Sequence, residues 1–120
     1  MKAIRIESHG GPEVLRLGER PDPSAGDGEL LVRVEAAGLN FIDTYHRTGL
    51  YPVRFPFTPG QEISGTIINP GANSKYQVGQ MIATKVVWGA FAEYSLAEDN
   101  MIIPLTDEVS LKYAVALPVV

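Results

Sequence analysis

Between residues 29 and 36, apolar and polar positions alternate. Leu30, Val32, Val34 and Ala36 fall on one face of an extended chain, and Leu31, Arg33 and Glu35 fall on the other. Successive side chains of a strand point to opposite faces, so this period of two predicts a β-strand with the first set turned into a core. Residues 2–6, 15–19, 61–68, 81–87, 90–96 and 101–103 read as shorter strands. Gly10-Gly11-Pro12, Pro21-Asp22-Pro23, Gly26-Asp27-Gly28, Asn69-Pro70-Gly71 and Trp88-Gly89 mark the breaks between elements. Gly accepts conformations closed to other residues, and Pro fixes φ and removes a donor, so such clusters punctuate strands. The proline-rich run over residues 51–60 predicts irregular loop.

The period changes after Gly38. Residues 40–47 predict a short helix with Asn40 as its cap, Asp43 in the capping-box position and Gly49 as its end. Ser110 predicts a second cap, for a helix running to Leu117, with Pro118 as its breaker. The end from Ala114 to Val120 is almost wholly apolar. It either packs against something beyond this segment or folds back on the domain's own core; composition does not choose between them.

Composition narrows the class. The 120 residues are 45% apolar and 20% charged, enough for one folded domain, here mainly β. With 10 Lys+Arg against 14 Asp+Glu the net charge is −4, which offers no general attraction to nucleic acid or anionic lipid. The absence of cysteine rules out disulfides, thiolate metal sites and a cysteine nucleophile. No signal-peptide core opens the chain and no run nears the roughly 20 apolar residues that span a bilayer. A cytoplasmic protein without nucleic-acid or membrane partners is expected.

Several chemistries find no support. His9 and His46, the two histidines, lie in separate elements, whereas zinc takes three or four protein ligands. They read as ordinary surface or polar-contact residues. Gly10-Gly11-Pro12 matches neither dinucleotide nor Walker phosphate loops, and Pro12 lacks a cradle donor. No G-x-S-x-G elbow is present. The richest stretch runs from Gly38 through Asn40, Asp43, Tyr45 and His46 to Arg47. Ile42, Tyr45 and His46 share a helical face. From local pattern alone two readings stand. The stretch is a functional cluster, or Asn40 and Asp43 only cap the helix while Tyr45 is half-buried and Arg47 solvated.

The ordered set Gly10-Gly11-Pro12-Glu13-Val14-Leu15, then Val34 through Gly38-Leu39-Asn40-Phe41-Ile42-Asp43-Thr44-Tyr45, then Gly49-Leu50-Tyr51-Pro52 resembles the zinc-independent NADPH:quinone oxidoreductases. These form the zeta-crystallin-like branch of the medium-chain dehydrogenase/reductase superfamily. Pro56-Phe57-Thr58-Pro59-Gly60-Gln61-Glu62, Gly89-Ala90-Phe91-Ala92-Glu93-Tyr94 and Ala114-Val115-Ala116-Leu117-Pro118 continue the likeness, in family order, over nearly the whole chain. Two places depart from it. Gly79-Gln80-Met81-Ile82 stands where the family has Gly-Asp-Arg-Val, and the connection over residues 69–77 is short.

The resemblance implies a GroES-like, partly open β-barrel with a few short helices. Residues 1–120 would form the catalytic, substrate-binding domain, and the Rossmann domain that binds NADPH would lie outside this chain. Asn40 and Gln61 stand where zinc-dependent cousins place a ligating cysteine and histidine, so no zinc is expected. Asn40, Asp43, Tyr45, Tyr51 and Gln61 are implied to line the cleft. Asn40 and Tyr45 would lie nearest the nicotinamide, the tyrosines would stack on or hydrogen-bond a quinone, and Asp43 would orient its neighbours. The implied reaction is hydride transfer from NADPH to a quinone or other small conjugated carbonyl, with little or no activity in this segment alone. The alternatives are an enone or enoyl-thioester reductase of the same superfamily, a non-catalytic binding module, and a domain that forms a homodimer through its apolar end.

Overall fold

The computed structural model describes every residue except Lys85, Asp107 and residues 116–120. Its first two strands, β1 (Lys2–Arg5) and β2 (Arg16–Glu19), pair antiparallel as a two-stranded sheet. A long strand, β3 (Glu29–Gly38), leads into the helix α1 (Phe41–Thr48). Then come β4 (Glu62–Pro70), β5 (Met81–Thr84), β6 (Tyr94–Glu98), β7 (Ile102–Pro104) and the one-turn helix α2 (Leu111–Ala114). The last five strands make one antiparallel sheet in the order β6-β3-β4-β5-β7. Isolated bridges, Ala3 to Ala92 and Ile6 to Phe57, tie the small sheet to the large one's loops. The result is mainly β, as the pattern predicted, and partly open, as the resemblance implied.

The alternation in β3 does what its period implies. Leu30 and Val32 are buried, while Arg33 and Glu35 are exposed. The buried pair joins Ile63, Ile67, Ile82, Val87, Ala90, Ala97 and Ile102 in one core, with Val34, Tyr76 and Phe91 packed against it. Area removed from water at roughly 25 cal/mol per Å² is what drives these residues together.

Two expected strands run shorter or later than their apolar content suggested. Among the described residues of 81–87 only Met81–Thr84 is strand, and β6 begins at Tyr94 rather than at residue 90. Val87 and Ala90 are buried nonetheless. Their backbone N–H groups donate to Gln61 O (2.8 Å) and Gly60 O (3.1 Å), so the loop meets its hydrogen-bond needs on the stretch before β4 rather than on a strand ladder.

At the C-terminal end, α2 packs on the large sheet, and the Ser64 hydroxyl donates to Leu111 O at 2.5 Å. Ala114 and Val115 are buried against the domain itself. The remainder of the expected helix, to Leu117, and the break at Pro118 lie outside the described residues.

Candidate functional site

The helix α1 forms where its caps say it should. Asp43 Oδ2 accepts the Asn40 backbone N–H at 2.8 Å, half of a capping box that satisfies a donor left free at the helix start. Gly49 ends the helix with φ 94°, a left-handed conformation that suits glycine, and its N–H donates to Tyr45 O. The Tyr51 N–H donates to the same carbonyl at 3.2 Å, which draws the loop after the helix back over it.

That return brings two expected site residues together. The rings of Tyr45 and Tyr51 meet edge to face, with centroids 5.3 Å apart and planes at 71°. Asn40 and Asp43 are joined by the cap. Beside them Phe41 is 81% exposed and Tyr51 is 48% exposed, and Leu39 and Leu50 are also open to solvent. A polar amide thus caps a helix that is flanked in sequence by exposed apolar and aromatic residues, the mixture that small planar ligands use. The fifth expected residue, Gln61, lies at the adjoining end of β4. Its side chain makes no hydrogen bond to the other four among the described residues, and its backbone O accepts from Val87.

Sequence reasoning passed over Glu62. The residue is 3% exposed, and its Oε1 accepts a hydrogen bond from Asn40 Nδ2 at 3.0 Å. Glu62 pairs in register with Gly38 across β3 and β4. A Cβ at position 38 would lie 1.9 Å from Glu62 Oε1, so the carboxylate occupies space that only a glycine leaves. Asn40 is therefore held twice, through its backbone by Asp43 and through its side chain by Glu62. No local signal marks this, because the partners lie far apart in sequence and meet only through strand register.

His46 corrects its sequence reading. It is 5% exposed rather than a surface residue. Rings of Phe57 (5.6 Å), Trp88 (5.6 Å) and Tyr51 (6.2 Å) surround it, and its Nδ1 has no hydrogen-bond partner among the described residues. Its place on one face with Ile42 and Tyr45 was the available hint of burial. His9 does make a polar contact, Nδ1 to His46 O at 3.1 Å. Arg47 is only partly open, and its Nη1 donates to Gly10 O at 2.7 Å. Among the described residues no group of three or more His, Cys, Asp and Glu could hold a metal ion.

Comparison with known proteins adds a lineage to this geometry. Residues 26–107 match the alcohol dehydrogenase GroES-like domain family. A quinone oxidoreductase of Lama guanicoe is 37% identical over 99% of this chain, which spans 38% of that protein. Among solved structures, Escherichia coli quinone oxidoreductase complexed with NADPH superposes with a TM-score of 0.93 at 30% identity; the match covers 98% of this chain and 37% of that one. A human synaptic vesicle membrane protein VAT-1 homolog-like protein gives a TM-score of 0.95 at 35% identity, over 99% of this chain and 40% of that one. The chain therefore spans about two-fifths of the length of these relatives.

Proposed function

The chain belongs to the alcohol dehydrogenase GroES-like domain family, on the quinone oxidoreductase side of the medium-chain dehydrogenase/reductase superfamily, and from that membership we propose that it is the substrate-side domain of an NADPH-dependent quinone reductase. The observation that carries this reading is the Asn40 amide, fixed by Glu62 at the start of the helix whose Tyr45 meets Tyr51 edge to face. A quinone is flat, apolar on its faces and polar at its two oxygens, and this surface offers matching partners for both.

The described residues fit the nicotinamide end of the cofactor. Asn40, the cap of α1, and Tyr45, within that helix, are the residues that face the nicotinamide ring in this reading. They do not fit the pyrophosphate, which needs successive backbone N–H groups at a glycine-rich helix start. That part of the binding falls to a Rossmann domain elsewhere in the protein. NADPH, when bound, supplies the hydride. The protein's share is to hold the acceptor in line and stabilise charge at the quinone oxygen. Tyr45 and Tyr51 pack on the ring or donate to that oxygen, Asp43 keeps Asn40 in place, and Gln61 closes the β4 end. A quinone is already a good acceptor, so the reading requires no zinc.

The test is turnover of the full-length protein with NADPH and either 1,4-benzoquinone or a simple enone. Asn40→Ala and Tyr45→Phe should each lower quinone reduction by about tenfold or more, roughly 1.4 kcal/mol of transition-state stabilisation. Unchanged turnover and NADPH affinity in both variants would remove these residues from the site. Faster reduction of the enone would move the assignment to the enone reductases, and no reduction of either would leave a binding module.

A further inference from the structure

We propose that Glu62 is a positioning residue that sets which end of the Asn40 amide faces the ligand, making Asn40 a hydrogen-bond donor to the quinone oxygen that gains charge. This rests on the reading of the site as a quinone reductase's, and it adds a residue that the sequence did not single out.

Four observations converge. Asn40 Nδ2 lies 3.0 Å from Glu62 Oε1. Oε1 accepts in this contact, so the amide turns its NH₂ group, not its oxygen, towards Glu62. With Nδ2 on Glu62, the amide's oxygen points away from that carboxylate. An NH₂ group has two hydrogens and Glu62 takes one, so the second N–H is left to donate elsewhere. Glu62 itself has little freedom to leave, since it is 3% exposed and seated over the gap at Gly38. Its Oε2 has no partner among the described residues, which leaves Asn40 as the side chain that engages this carboxylate.

The chemistry gives that donor a purpose. When a hydride adds to a ring carbon, the C=C and C=O electron pairs shift and leave negative charge on the conjugated oxygen as an enolate. This becomes the hydroquinone anion as that ring carbon loses a proton to solvent and the remaining carbonyl oxygen gains one. NADPH is oxidised to NADP⁺, and the anion then takes a proton from solvent. A preset N–H aimed at this oxygen strengthens as its charge grows, which lowers the barrier more than it tightens binding. A charge-assisted bond to Glu62 on the other hydrogen fixes the donor in place beforehand.

The test uses the full-length protein, Glu62→Gln, and the exchange variant Asn40→Asp/Glu62→Gln. Glutamine can accept or donate, so Glu62→Gln frees the Asn40 amide to turn over. The exchange remakes the link with reversed polarity, the introduced amide donating to the introduced carboxylate, and leaves only acceptors at position 40. Expected for Glu62→Gln is a kcat for 1,4-benzoquinone lower by roughly 10- to 100-fold with KM nearly unchanged. The Asn40 side-chain N–H resonances, identified by their loss in Asn40→Asp, should shift. The exchange variant should recover thermal stability without recovering kcat. If Glu62→Gln lowers stability but not kcat, or if the exchange restores both, Glu62 is structural and the proposal falls while the quinone reading survives. If wild-type protein does not reduce quinones, the donor role falls together with that reading. In that case unmoved Asn40 resonances in Glu62→Gln would also remove the positioning.

Discussion

Gly38 leaves the space that Glu62 fills. The two are register partners on β3 and β4, and a methyl group on residue 38 would lie 1.9 Å from Glu62 Oε1. The atoms it would meet all belong to the Glu62 side chain, so Gly38→Ala should push the carboxylate aside rather than part the strands. We expect a loss of about 1–3 kcal/mol in urea unfolding. In Gly38→Ala/Glu62→Ala the two penalties should not add, and the coupling should reach roughly 0.5–3 kcal/mol. Additive losses would show that the clash is with something else.

Tyr51 is half open and leans its ring against Tyr45. If it serves the substrate, Tyr51→Ala should raise KM for quinones by about tenfold, in line with about 0.5–1.5 kcal/mol for an aromatic pair plus lost area, and should move Tm little. A large drop in Tm with unchanged KM would make it a packing residue instead.

The N-terminal ammonium of Met1 donates to Arg20 O at 2.8 Å, pairs with Asp22 at 2.8 Å, and lies 3.7 Å from Glu19. The hydrogen bond to Asp22 is the main cause that raises its pKa above the ordinary 8.0. A group whose pKa is raised by folding adds stability that is complete below the unfolded value and fades as pH climbs through the folded one. Tm should therefore fall from about pH 8 upward more in wild type than in Asp22→Asn. Parallel Tm profiles would remove this pair from the account. Residues added ahead of Met1 should act as Asp22→Asn does, because they abolish the charge.

Ser64 is fully buried in β4, and its hydroxyl donates to Leu111 O at 2.5 Å. Ser64→Ala removes that side-chain donor while the Val115 N–H still donates to the carbonyl, at a cost of about 0.5–1.5 kcal/mol. Hydrogen exchange should quicken at Tyr113, Ala114 and Val115, whose N–H groups close the turn of α2. Exchange that stays slow there would show that apolar packing alone holds the helix.

Local rules carried the sequence reading as far as local rules reach. The alternation in β3, the Asn40 and Asp43 cap and the Gly49 stop all depend on neighbours within a few residues, and all appear where expected. On either side of the expected break at Trp88-Gly89 the apolar residues misled, because burial there comes without a strand: Val87 and Ala90 face the core from a loop whose N–H groups are taken by Gln61 and Gly60. Hydrophobic content reports burial, and it reports strand only when the ladder is there as well. At the site, the Asn40–Asp43 pair was legible for the same local reason. Glu62 was not, because a glutamate near a strand start reads as a solvent-facing charge until Gly38 is seen opposite it.

The ties of β1 to the rest of the fold also set a schedule. Ile4 N–H donates to Phe91 O, Glu93 N–H donates to Lys2 O, and Ala3 bridges Ala92. Residues 2–4 must therefore wait for residues 91–93 before they can dock. Contacts so distant along the chain close slowly, because the loop entropy is spent before the contacts repay it. A nascent chain cut short of residue 93 would expose the edge of its opening hairpin, and aggregation of this domain during synthesis should begin there.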